Sequence, residues 1–163
     1  MKVSPARRGR RLRASVAAVG GIQDLQEFRV LEHTADIGFE AFGARREDVF
    51  RNAGRALMSL IIDLDSVSPQ ERVPVTARAP EPQSLLVNWL SEILYLQDTE
   101  GWLFTDFEIG GFQEQSVCGA GRGERFERGR HRLKLLVKAI TYHQLALEET
   151  RDGLWRAQVY VDI

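Results

Sequence analysis

The sequence predicts an α+β domain, a two-layer α/β sandwich with two helices packed on one face of a mixed, largely antiparallel sheet. Two segments, within residues 45–62 and 82–100, space their apolar residues for a helix. From residue 28 onward the remaining apolar pattern runs mostly at period two, and these strands outnumber the helices. Two helices can cover only one face of such a sheet. At 163 residues the chain is long enough for a single core without disulfide staples.

Each element has its own signal. Phe28 to Leu31 is expected as a first strand and Ile37 to Phe42 as a second, with Ile37, Phe39 and Ala41 sharing the buried parity. Gly43 ends that run. Val49, Ala53, Ala56, Leu57, Leu60 and Ile61 then recur at helical spacing, with Glu47 and Asp48 in a first turn that favours acids. RVPVTARA alternates as a strand, and Pro74 either places it at an edge or makes it irregular. Pro82 opens the second helix, whose stripe of Leu85, Leu86, Trp89, Leu90, Ile93 and Leu94 reads as core. After Gly101, WLFTDFEI and FQEQSVCG form a hairpin broken at Gly110–Gly111, followed by the glycine- and arginine-rich loop GRGERFERGRHR. LKLLVKAITY, HQLALEE and GLWRAQVYVDI complete the strands.

The composition, 44% hydrophobic and 28% charged, is that of an ordinary globular domain. A single cysteine, Cys118, excludes an internal disulfide and the paired thiolates of a structural zinc site, and a reducing cytoplasm is the expected location. The net charge of −1 conceals an asymmetry. Residues 1–21 carry Lys2, Arg7, Arg8, Arg10, Arg11 and Arg13 and no acid; setting these six aside leaves 16 of 22 bases against 23 acids, near −7. Residues 1–27 are read as a disordered basic N-terminal arm and residues 28–163 as the folded domain. The apolar run SVAAVGGI is too short to span a bilayer.

Few motifs carry chemistry. GAGRGER resembles a phosphate loop only superficially: it lacks the lysine and hydroxyl, and no helix follows. No G-x-S-x-G elbow occurs. His131 and His143 flank one strand without the spacing of a zinc site. Arg122, Arg125, Arg128, Arg130 and Arg132 make residues 122–132 the most basic stretch of the folded part, either a solvated loop or a contact for RNA or an acidic partner.

Asp36 stands at the mouth of the second strand, beside His33 and Thr34, where it reads as a turn residue, a catalytic group or half of a metal site. The sequence closes on VYVDI. If the last strand lies beside the one starting at Ile37, Asp36, Asp162 and the α-carboxylate of Ile163 converge. Such a cluster needs a cation, a proton or shared solvent. Oxygen donors without thiolate suit calcium, magnesium or manganese.

HTADIGFEAFG from His33, the SLLVNWLSEILY helix, Gly123–Glu124, His131, VKAITYH and the closing VDI stand in the order found in the archease family. The sequence resembles an archease over residues 28–163. The resemblance implies a two-layer α/β protein that assists the GTP-dependent tRNA-splicing ligase, promoting its guanylylation and repeated turnover without being an enzyme itself. It implies a divalent-cation site, most simply calcium, on Asp36, Asp162 and Ile163. Lys138, His143, Glu124 and His131 also match family positions, with no role assigned; the arm has no counterpart in the pattern. The competing classes are a metal-dependent phosphoesterase using the same carboxylates and a general RNA-binding or chaperone-like module using the arginine loop.

Overall fold

The computed structural model describes residues 26–32 and 36–163. Of the expected basic arm only Gln26 and Glu27 fall within that range, and His33 and Thr34 lie outside it. Strands β1 (Phe28–Glu32) and β2 (Ile37–Gly43) form an antiparallel hairpin, and helix α1 (Arg46–Ile61) follows. Asp48 in its first turn reaches back to the Arg45 N–H at 3.0 Å, which satisfies one of the donors that open a helix. A 3-10 turn at Leu64–Ser66 leads into β3 (Glu71–Arg78), and α2 (Pro82–Glu100) begins on its proline and ends at Gly101. The remaining strands are β4 (Trp102–Gln113), β5 (Ser116–Arg125), β6 (Ala139–Ile140), β7 (Ala146–Glu149) and β8 (Trp155–Asp162).

The α+β class with two helices holds, and the strands divide into two sheets. One has the order β1-β2-β8-β6, with β7 also on β8; the other has the order β3-β5-β4. Every ladder is antiparallel, and Pro74 sits on the edge strand β3 as its missing N–H requires. Residues 126–138, which lead from the second sheet to the first between β5 and β6, form no ladder.

Three details differ from the sequence reading. The β4–β5 turn lies at Glu114–Gln115, whereas Gly110–Gly111 falls at a register shift inside β4. The glycine-rich stretch through Arg125 is strand, so the loop begins only at Phe126. LKLLVKAITY contributes just the two strand residues of β6. Its start is pinned to the end of α1, where the Lys134 N–H donates to Ile61 O at 2.7 Å; its end is pinned to β8, where the Lys138 N–H donates to Asp162 O at 2.7 Å. Between these pins Val137 turns inward and Leu136 outward, so its apolar residues are not set by pairing.

Both helices contribute to one core with Phe39, Phe104, Phe107 and Val159. Trp89 is fully buried, and its indole N–H donates to Phe50 O at 3.0 Å, the packing role its stripe predicts. Glu27 is tied to the domain: its carbonyl accepts from the Phe42 N–H at 2.8 Å and its carboxylate pairs with Arg55. A protein starting at Phe28 should therefore be less stable than one starting at Gln26, by about 1 kcal/mol in urea denaturation. Equal midpoints would mean that these contacts contribute nothing.

Candidate functional site

β2 starts where β8 stops. Their register pairs Ile37 with Val161 and Gly38 with Tyr160, so its continuation sets Asp36 opposite Asp162, with Ile163 just beyond. Asp36 is about half exposed, and Asp162 and Ile163 are exposed. On the other side of β8, Ala139 of β6 pairs with Asp162, which fixes the Asp162 backbone between two strands. The sequence condition that the last strand lie beside the strand from Ile37 is met.

His143 completes this end of the sheet. Its Nε2 lies 3.7 Å from Asp36 Oδ2, and its ring meets the Tyr160 ring edge-on with centroids 5.7 Å apart. Tyr160 can lie across β2 only because residue 38 is glycine: a Cβ there would stand 2.6 Å from Val159 O and 2.7 Å from Tyr160 Cδ1. Tyr160 was not singled out in the sequence, and its signal is its position two residues before Asp162 on a strand that faces a glycine. Lys138 presents an exposed side chain at a cleft formed with Ser91, Leu94, Tyr95, Asp98 and Thr99 of α2.

Among the described residues, no three His, Cys, Asp or Glu side chains assemble into a metal-binding group. The donors available at this edge are the carboxylates of Asp36 and Asp162, on residues that the register sets opposite each other, and a carboxylate on Ile163 would raise them to three. Oxygen-only donors of this kind fit a hard cation such as calcium.

β2 is held in place by a buried charge. Glu40 is 4% exposed, and its carboxylate pairs with Arg29 of β1 and accepts from Arg156 Nε of β8 at 2.7 Å. Burial pushes the Glu40 carboxyl up, but the Arg156 and Arg29 guanidiniums outweigh it and hold it below its ordinary value.

Glu124 and His131 belong to another construction, at the end of β5. Glu124 is 5% exposed. Its oxygens take a two-pronged contact from Arg130 at 2.8 Å each, the Ser68 N–H at 2.9 Å and His131 Nε2 at 2.9 Å. His131 Nδ1 accepts the Glu127 N–H at 2.9 Å, so the proton is on Nε2 and is donated to Glu124. The Arg130 guanidinium, then the Ser68 N–H, then His131 lower the Glu124 carboxyl to about 2 against the opposing effect of burial. Both residues thus clamp the loop from Phe126 to β3's approach, which explains their presence structurally.

The arginine stretch divides. Arg122 pairs with Glu108, Arg125 donates to Glu100 O and lies over Trp102, and Arg130 serves Glu124 and Glu127. Arg128 and Arg132 form no ion pair among the described residues. No helix of the described residues is long and apolar enough to cross a membrane.

Fold and site define a small α+β protein whose polar end carries a carboxylate on each of two adjacent strand termini. Residues 28–163 match the family model described as the Archease protein family (MTH1598/TM1083). The chain is 41% identical over 142 residues to protein archease of Methanosarcina mazei, covering 85% of this chain and 97% of that protein. It is 34% identical to protein archease of Pyrococcus furiosus over 142 residues, 85% of this chain and all of that one. The solution structure of Methanobacterium thermoautotrophicum protein 1598 superposes with a TM-score of 0.71 at 33% identity, covering 84% of this chain and 99% of that one. A Thermotoga maritima crystal structure called an archease and possible chaperone shares the fold, with a TM-score of 0.51 at 22% identity over 82% of this chain and 94% of that one. The chain belongs to the archease family.

Proposed function

We infer that this protein is a metal-binding, non-catalytic activator of the GTP-dependent tRNA-splicing ligase, acting in the cytoplasm to promote ligase guanylylation and multiple turnover. The observation that carries this reading is the β2–β8 register, which sets Asp36 against Asp162 beside Ile163 on an archease scaffold. A bound divalent cation, most simply calcium, would supply concentrated positive charge for a phosphate-handling partner. Asp36 and Asp162 would hold it, joined by the Ile163 carboxylate. The His143 imidazole lies beside the Asp36 carboxylate, and the bond from the Lys138 N–H to Asp162 O fixes the Asp162 backbone.

The class is tested by RNA ligation with limiting ligase, with and without this protein. Multiple turnover only in its presence supports the reading, and unchanged turnover overturns it. The site is tested by calorimetry with calcium. Asp36→Ala and Asp162→Ala should each weaken binding by about tenfold or more, because affinity for a hard cation follows carboxylate count. Adding a few small residues after Ile163 moves the terminal charge but leaves the side chain, and should lower affinity by about one to two orders of magnitude. Native affinity in all three proteins would sink the site.

A further inference from the structure

From Arg128 to Leu147 the chain has no acidic residue, although acids outnumber bases outside the arm. Part of this run closes a cavity of about 550 Å³ lined by Asp63, Ser66, Arg130, Arg132, Leu133 and Lys134. Three cations face one carboxylate there. Asp63 is already engaged, its Oδ1 accepting the Asp65 N–H at 3.1 Å, and Arg130 is committed to Glu124 and Glu127. Arg132 and Lys134 have exposed side chains that pair with no acid among the described residues.

The backbone here is fixed. The Leu133–Ile62 bridge and the Lys134 bond to Ile61 O hold the run against the end of α1, so two unneutralised cations stand on a rigid base. Phe126 is 42% exposed beside His131, ring centroids 6.0 Å apart, and Leu133 is 43% exposed within the cavity lining.

We propose that this cavity binds the phosphate backbone of single-stranded RNA, with Arg132 and Lys134 on phosphates and Phe126 as a surface for a base. Cations converging on a concavity, with an exposed aromatic ring against the histidine that lies between Arg130 and Arg132 in the chain, combine the two elements by which single strands are held without sequence reading. An acidic protein surface would not need the concavity or the ring. The site is separate from Asp36 and Asp162, and it stands whether or not the ligase reading holds.

The test uses the full chain with Arg7, Arg8, Arg10, Arg11 and Arg13 replaced by glutamine, so that the arm does not mask the site. Fluorescence anisotropy with a labelled oligouridylate reads the affinity at several salt concentrations. R132E/K134E should weaken binding at least tenfold, and R132Q/K134Q should lower the slope of log affinity against log salt by about 1.4, the release expected for two phosphates on a single strand. F126A should weaken binding with the slope unchanged. Polyglutamate at equal charge should fail to displace the RNA. Unchanged affinity and slope in both double variants, with thermal midpoints preserved, overturns the proposal. So does displacement by polyglutamate, which would assign the cavity to an acidic protein.

Discussion

Replacing Glu124 with alanine should destabilise the domain by about 3 kcal/mol, as expected when one member of a buried, multiply bonded ion cluster is removed. The loss leaves three donors without their acceptor: the Arg130 guanidinium, the Ser68 N–H and the Nε2–H of a His131 whose side chain is fully buried. Arg130 can turn to solvent because its side chain is about half exposed, but the fully buried His131 side chain cannot. The effect also has a pH signature. The folded carboxyl lies at about 2, below its ordinary 4.5, so its contribution is fully present above pH 4.5 and is lost as pH falls toward 2. Urea midpoints of native and Glu124→Ala proteins should therefore converge across that window. A constant difference from pH 5 down to 2 would show that the cluster acts through packing and not through charge.

Gly123→Ala should be comparably damaging, at about 3 kcal/mol, the upper range for forcing extra atoms into a packed interior. A Cβ at residue 123 would fall 1.7 Å from Leu103 O and 2.9 Å from the Phe104 Cα. These are backbone atoms of the neighbouring strand, so no side-chain rotation relieves the clash, and β4 must move away from β5. Gly121 instead faces the buried Phe104 ring, with 2.4 Å to Cδ1. The alternating glycines of GAGRGER thus exist to let β4 and an aromatic ring close over the central strand. A thermal midpoint lowered by roughly 10 °C is the expected readout for a domain of this size. A shift within a degree or two would mean that the strand pair accommodates the methyl group.

The helices were legible because their signals are local: the acidic first turn of α1, Pro82 and Gly101 around α2, and the apolar stripes all lie within one element. The pairing of Asp36 with Asp162 was legible only as a condition, since the register that meets it joins strands from opposite ends of the domain. Glu40 was not legible. Its parity placed it opposite Phe39, on the side expected to meet solvent, and it is buried because Arg29 and Arg156 arrive from the two flanking strands. LKLLVKAITY misled for the converse reason. Its composition favours a strand, but anchoring at Ile61 and at Asp162 leaves only Ala139–Ile140 in a ladder, apart from the isolated Leu133–Ile62 bridge. The arginine stretch was legible as charge. Which arginines are spent internally depends on Glu108, Glu100 and Glu124, which no spacing rule connects to them.

The placement of β8 bears on how the chain acquires its structure. β2 is made early and β8 last, yet they are neighbours along their whole length, and β8 also holds β6 and β7. The β3-β5-β4 sheet draws on a nearer stretch of sequence and can close first. The larger sheet has high contact order and must wait for β8, leaving the apolar side of the β1–β2 hairpin uncovered on that flank in the meantime. Synthesis on the ribosome would prolong this wait, and the hairpin's open edge is then the segment most exposed to pairing with another chain.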